Sequence, residues 1–129
     1  MSAFSPRDLV LLAVGGVLGT FARAFLSQVI TRSYGSWLPW GTITVNVLGC
    51  LLFGLGWSLI EGKLGGSVAA KFLVLTGFMG AFTTFSTYMF ETTVLLQRSQ
   101  LWLAAANFLL QNAVGLISLV LGLALGRAL

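Results

Sequence analysis

Residues 69–96 read AAKFLVLTGFMGAFTTFSTYMFETTVLL. The stretch exceeds the roughly 20 apolar residues that a membrane-spanning helix needs, yet its middle is poor helix material. Gly77, Gly80, Thr83, Thr84 and Thr87 crowd the centre, and glycine and threonine rank low in helix propensity. Two outcomes fit that composition. In one, the helix stays intact and its threonine hydroxyls bond back to the preceding turn. In the other it breaks at membrane depth, which is tolerated only where protein or a water-filled cavity surrounds the break, and its freed carbonyls can coordinate a hard cation such as Na⁺. Glu91 is the only acid well inside an apolar segment, and an acid at that depth marks a functional position by default.

Outward from this stretch, hydropathy predicts three further spans, at about 9–30, 41–60 and 101–126, so that residues 1–129 read as a single four-helix membrane domain with nothing left over for a soluble one. The separators carry turn punctuation: Tyr34-Gly35-Ser36 with Pro39, three glycines between Glu61 and Gly66, and Gln97 to Gln100 around Arg98. The first span is too long for a signal peptide and has no cleavage-site pattern after it, so it is expected to stay in the mature protein. The 129 residues are 57% hydrophobic and 8% charged, with mean hydropathy +0.98, which makes this an all-α integral membrane protein in contact with a lipid bilayer. With no His and the single Cys50, a structural zinc site, an internal disulfide and Cys/His or His-base catalysis are excluded, and no enzyme is expected. Seven basic residues against three acids give +4, but they stand singly at 7, 23, 32, 63, 71, 98 and 127. No basic stripe of the kind nucleic acid requires is formed.

Four spans place both termini on one side. That side then carries Arg7, Lys63, Lys71 and Arg127, and the other Arg32 and Arg98, a weak positive-inside bias. Such a chain can insert in either direction, which points to dual topology and an antiparallel pair. Tyr34, Trp37, Trp40, Trp57 and Trp102 sit near span ends, as interfacial anchors do. Gly15, Gly19 and Ala22, and again Ser118, Gly122 and Gly126, form small-residue faces. Taken singly these glycines read as helix contacts inside a bundle; in so short a chain the faces are also expected to build at least a dimer.

The polar residues inside the spans form stripes. Thr42, Asn46, Gly49 and Phe53 follow i, i+4, i+7 and i+11 on the second span; Asn107, Gln111 and Gly115 follow i, i+4 and i+8 on the fourth, with Asn112 beside them. Asn46 must find partners in the bilayer, either as glue between helices or as a donor lining a pore. Phe82, Phe85 and Tyr88 follow i, i+3 and i+6; such rings usually serve packing, and the alternative is that their electropositive edges face an anion where no fixed cation exists. Together these residues make a hydrogen-bonding track with few titratable groups, better suited to passive movement of a small ion than to proton-coupled pumping.

Three segments in this order, GGVLGTFAR at 15–23, GTITVNVLG at 41–49 and GFMGAFTTFSTY at 77–88, resemble the small dual-topology fluoride channels of bacteria, the Fluc or CrcB family. The resemblance covers essentially the whole chain, with the fourth span matching loosely. It implies a broken third helix, an antiparallel dual-topology homodimer in the bacterial cytoplasmic membrane, and passive export of fluoride that lowers its toxicity. It further implies a central structural Na⁺ held by backbone carbonyls at Gly80 and Thr83. The fluoride pathway falls on Thr42, Asn46, Phe85, Tyr88 and Glu91, with Asn107 and Gln111 carried over more loosely, and the vestibule arginine on Arg23. Tyr88 departs from the family pattern by adding a hydroxyl to a ring that is usually apolar.

The chemistry is coherent with that resemblance. Fluoride is small and strongly hydrated, so a pore must replace its water with several close neutral donors rather than trap it on a buried cation. HF crosses membranes and dissociates inside, so a passive exit for the anion protects a cell. No nucleotide-binding Gly-x-x-x-x-Gly-Lys occurs. The alternative is a small cation or drug/proton antiporter working through Glu91; a third reading is a scaffold in which every polar residue is interhelical glue.

Overall fold

The computed structural model describes residues 4–129, all of whose regular elements are helical. Four stretches are long and apolar enough to cross a membrane: Pro6–Tyr34, Trp40–Lys63, Val68–Gln97 and Leu101–Ala128. We label them α1 (Pro6–Tyr34), α2 (Trp40–Lys63), α3 (68–82) with α4 (Phe85–Gln97), and α5 (Leu101–Ala128). This is a multi-pass membrane architecture.

α1 opens on a reciprocal cap. The Asp8 N–H donates to Ser5 Oγ at 3.2 Å, the Ser5 N–H donates to the Asp8 carboxylate at 3.0 Å, and Pro6 takes the first helical turn. The helix runs through Thr31–Tyr34, which the sequence suggested as turn, because nothing interrupts it before Gly35 at φ 81°. That backbone conformation favours glycine and ends the helix.

Within the third stretch, Lys71–Met79 winds in wide π turns, and the Gly80 N–H reaches back to the Leu75 carbonyl. After Gly80–Phe82 the backbone of Thr83 (φ −88°, ψ 158°) and Thr84 (φ −148°, ψ 108°) is extended. α4 then restarts with Thr84 as its cap, the Thr87 N–H donating to Thr84 Oγ1 at 3.3 Å. The back-bonding seen as the other option also occurs, since Thr83 Oγ1 donates to the Met79 carbonyl at 3.1 Å. Threonine at this point therefore serves both to close one helix and to cap the next.

The small-residue faces are used inside the chain. Gly15 and Gly19 are the buried residues of α1, and a Cβ at either would overlap the α3 backbone at Leu73 or Phe78. On the other side of the bundle, Gly54 of α2 meets the α5 backbone at Leu119, and Gly122 of α5 meets the α2 backbone at Leu51. Helix axes approach this closely only where no side chain stands between them. These faces thus serve as helix contacts inside the bundle, as the small-residue spacing suggests. At the opposite end, Leu38, Ile43, Leu95 and Ala104 form a small apolar core that closes the ends of α2, α4 and α5.

Candidate functional site

Where α2 leaves its glycine seam, side-chain amides take over. Asn46 clamps the extended Thr84 peptide from both ends: the Thr84 N–H donates to Asn46 Oδ1 at 2.7 Å, and Asn46 Nδ2 donates to the Thr84 carbonyl at 3.1 Å. Nδ2 also donates to Gln111 Oε1 at 2.5 Å; Gln111 Nε2 donates to Asn107 Oδ1 at 2.8 Å, Asn107 Nδ2 to Thr92 Oγ1 at 2.9 Å, and Thr92 Oγ1 to the Tyr88 carbonyl at 2.8 Å. A backbone N–H can only donate and a backbone carbonyl can only accept. The Thr84 N–H and the Tyr88 carbonyl therefore fix the direction of every amide between them, and the network has one polarity.

The spacing-based stripes are realised. Asn107 and Gln111 bond one another across a helical turn, and the wide turns at Leu110–Val114 let Gln111 and Asn112 border one cleft although they are neighbours in sequence. That cleft, of about 380 Å³, is lined by Asn46, Phe53, Phe85, Tyr88, Gln111 and Asn112 among others. Its Phe85 and Tyr88 rings meet edge to face, 5.8 Å apart and inclined at 73°. Phe85 is 71% exposed in the single chain, whereas Tyr88 is 4% exposed.

A second cleft of about 370 Å³ is lined by Thr20, Arg23, Ser27, Thr31, Arg32 and Thr42 among others. Thr84 borders both clefts, while Asn46, which holds the Thr84 backbone at this junction, borders the first. Arg23 is tied through Nε, which donates to the Ala81 carbonyl at 2.9 Å. Thr42 in turn donates to Glu91 Oε1 at 2.8 Å, and both border a third, smaller cleft with Arg98.

The residues singled out from sequence are thus distributed rather than gathered. Asn46, Phe85, Tyr88 and Gln111 share the first cleft; Arg23 and Thr42 share the second; Glu91 borders the third. Asn107 lines none of the three: it is fully buried and supports Gln111. Sequence reasoning missed Thr92 as the partner of Asn107, and Ser27 and Thr31 as neighbours of Arg23. The latter were accessible, because 23, 27 and 31 repeat at four-residue steps on one helical face.

Gly80 and Thr83 have a distinct chemistry. The Thr84 N–H that would close a helical bond to the Gly80 carbonyl goes to Asn46, and the Thr87 N–H that would reach the Thr83 carbonyl goes to Thr84 Oγ1. A Cβ at Gly80 would find no non-local atom nearer than 3.9 Å. No group of three or more His, Cys, Asp or Glu gathers among the described residues.

Residues 10–123 match the family described as CrcB-like protein, Camphor Resistance (CrcB). The chain belongs to the CrcB family. It is 44% identical over 121 residues to the fluoride-specific ion channel FluC of Nitrosococcus oceani, covering 94% of this chain and 97% of that protein. It is 47% identical over 116 residues to the FluC of Maridesulfovibrio salexigens, covering 90% and 92%, and 38% identical over 122 residues to that of Rhizobium johnstonii, covering 93% and 96%. The CrcB match spans α1 to α5, including the junction and all three clefts.

Proposed function

We propose that this CrcB-family protein is a fluoride-selective channel through which cytoplasmic fluoride leaves passively, lowering its toxicity in a bacterial cytoplasmic membrane. Relatives that share nearly the whole chain carry the name fluoride-specific ion channel. The structural observation that carries the reading is the Asn46–Thr84 junction: a neutral, fully hydrogen-bonded amide holds Thr84, which borders both a cleft with aromatic edges and a cleft with two arginines. This donor set suits a strongly hydrated anion, because it offers N–H and O–H groups without a fixed buried cation to hold the ion.

Asn46 Nδ2 divides its two protons between the Thr84 carbonyl and Gln111 Oε1. An anion arriving from the first cleft takes the place of Gln111 Oε1 as acceptor, while the Thr84 bonds keep the Asn46 side chain in position. Gln111 keeps its bond to Asn107, which is fixed in turn by Thr92. Thr42, Asn46, Phe85, Tyr88, Glu91, Asn107 and Gln111 are then the pathway and its support. Arg23, with Arg32 beside it in the second cleft, raises the local concentration of anions at the vestibule.

The extended Thr83–Thr84 segment is, in this reading, the break of a discontinuous third helix. The carbonyls of Gly80 and Thr83 would hold a structural Na⁺ at the centre of a dimer, which would supply a fixed positive charge there. A second copy in the opposite orientation is favoured by the weak charge bias of the loops and by the open face around Gly80 and Phe85. In such a dual-topology homodimer the exposed Phe85 ring is covered by the partner copy rather than by lipid. Antiport through Glu91 receives no support from the relatives' names, and Thr42 holds that carboxylate as a hydrogen-bonded acceptor.

The test is efflux of fluoride from liposomes holding the purified full chain, with K⁺ and valinomycin setting the voltage and chloride run in parallel. Fast fluoride release that requires valinomycin, with chloride retained, is expected. Release coupled to a pH gradient and independent of valinomycin would favour an antiporter.

A further inference from the structure

The Tyr88 hydroxyl is a polar group for which the pathway described above has no use, since only the ring has so far been given a part. Its environment can be worked out atom by atom. Asn112 Nδ2 donates to the Phe108 carbonyl at 2.8 Å and to the Tyr88 hydroxyl oxygen at 2.7 Å. A carbonyl cannot donate, so the Asn112 atom beside Phe108 is the amide nitrogen and not its oxygen. That nitrogen can only donate, and the Tyr88 oxygen therefore accepts. The phenolic proton is left without an acceptor among the described residues.

This uncommitted proton belongs to a side chain that is 4% exposed and borders the first cleft together with Asn46, Phe85 and Gln111. No Lys, Arg, Asp or Glu lines that cleft. A buried donor with no acceptor is costly at low dielectric, and it becomes favourable when an anion occupies the space in front of it. Asn112, the α5 residue bonded to that oxygen, meets it with an amide nitrogen and so offers the proton no acceptor.

We propose that the Tyr88 hydroxyl, oriented by Asn112, is a hydrogen-bond donor to the dehydrated anion in the first cleft, so that this chain adds an O–H ligand where an aromatic edge alone would otherwise stand. The proposal rests on the fluoride-channel reading. Asn112 is then a positioning residue: it sets the direction of the donor without touching the ion.

The experiment combines flux with a spectroscopic signature. The chain has two tyrosines, and Tyr34, at the end of α1, is 64% exposed, so Tyr34→Phe leaves Tyr88 as the sole phenol. Fluoride added to this variant is expected to shift the tyrosine absorption, with chloride without effect, and the shift is lost in Tyr34→Phe/Tyr88→Phe. Tyr88→Phe alone, eluting as the same folded species, is expected to lower fluoride flux on the order of tenfold at limiting fluoride. Full flux in Tyr88→Phe would overturn the proposal while leaving the channel reading intact. Reduced flux with no fluoride-dependent absorption change would assign the hydroxyl a purely structural part and overturn it as well. A parent protein that passes no fluoride would remove the channel reading, and this inference with it.

Discussion

The two halves of α2 solve opposite problems against their neighbours. In its C-terminal half, Gly54 lies against the α5 backbone at Leu119 and Gly122 lies against the α2 backbone at Leu51, so the helices touch and exclude everything between them. In its N-terminal half, Thr42 and Asn46 reach across to Glu91, Thr84 and Gln111, and clefts of about 380 and 370 Å³ remain, both bordered by Thr84. Small residues remove space by letting backbones meet. Directional amides keep space open, because a hydrogen bond fixes a separation and leaves the flanks unfilled. One helix is thereby a seal at one end and a lattice of donors at the other.

The largest effect is expected from breaking the seal. Gly122→Leu would drive a side chain into the Leu51 backbone, at a cost of more than about 4 kcal/mol, and folded protein should be lost from size-exclusion profiles. If Gly122→Leu instead gave wild-type yield and elution, the close-packed half would be less constrained than the contrast requires.

Gln111→Leu attacks the other half without touching the seal. It removes one of the two acceptors of Asn46 Nδ2 and leaves Asn107 Oδ1 without its donor. Fluoride efflux is expected to fall on the order of tenfold, with elution unchanged. Equal losses of folding and flux would show that the amide network is glue of the same kind as the glycines.

Thr42→Val keeps shape and deletes the hydroxyl that donates to Glu91. The other Glu91 oxygen has no partner, so the carboxylate would be left without any. A destabilisation of about 1–3 kcal/mol is expected, visible as a lower midpoint in thermal unfolding. An unchanged midpoint would mean that Glu91 is satisfied by something other than Thr42.

The smallest effect is expected at the vestibule. Arg23→Gln should reduce fluoride flux a few-fold at low ionic strength, and the deficit should vanish near 1 M salt, where the screening length is about 3 Å. A deficit that persists at high salt would place Arg23 in the lattice of bonds, through the Ala81 carbonyl, rather than in the field around it.

How much of this was legible in the sequence follows the same division. Hydropathy anticipated four long apolar helices, but α1 and α2 were ended too early, because Thr31–Tyr34 and Glu61–Lys63 read as separators until the backbone is seen. Helical spacing foretold the Asn107–Gln111 bond and the common cleft of Asn46, Gly49 and Phe53, while Thr42 borders the other two clefts. The partners across helices were not legible. Asn46 binds a main-chain peptide at Thr84, and a backbone group leaves no trace in residue type. Asn107 looked equal to Gln111, but it is fully buried and positions its neighbour; one helical turn separates a cleft-lining amide from a supporting one. The small-residue faces were legible as close contacts, while their targets, α3 for α1 and α2 for α5, required the assembled bundle.

The central claim is that the anion passes between the two clefts at the Asn46–Thr84 junction. Asn46→Ala tests it most directly, in voltage-clamped fluoride efflux from liposomes beside the parent protein. The account predicts a protein that elutes as the parent does and releases fluoride on the order of a hundredfold more slowly, because the shared donor and the clamp on Thr84 are lost together. Parent-like efflux from Asn46→Ala would contradict it and move the pathway elsewhere in the bundle.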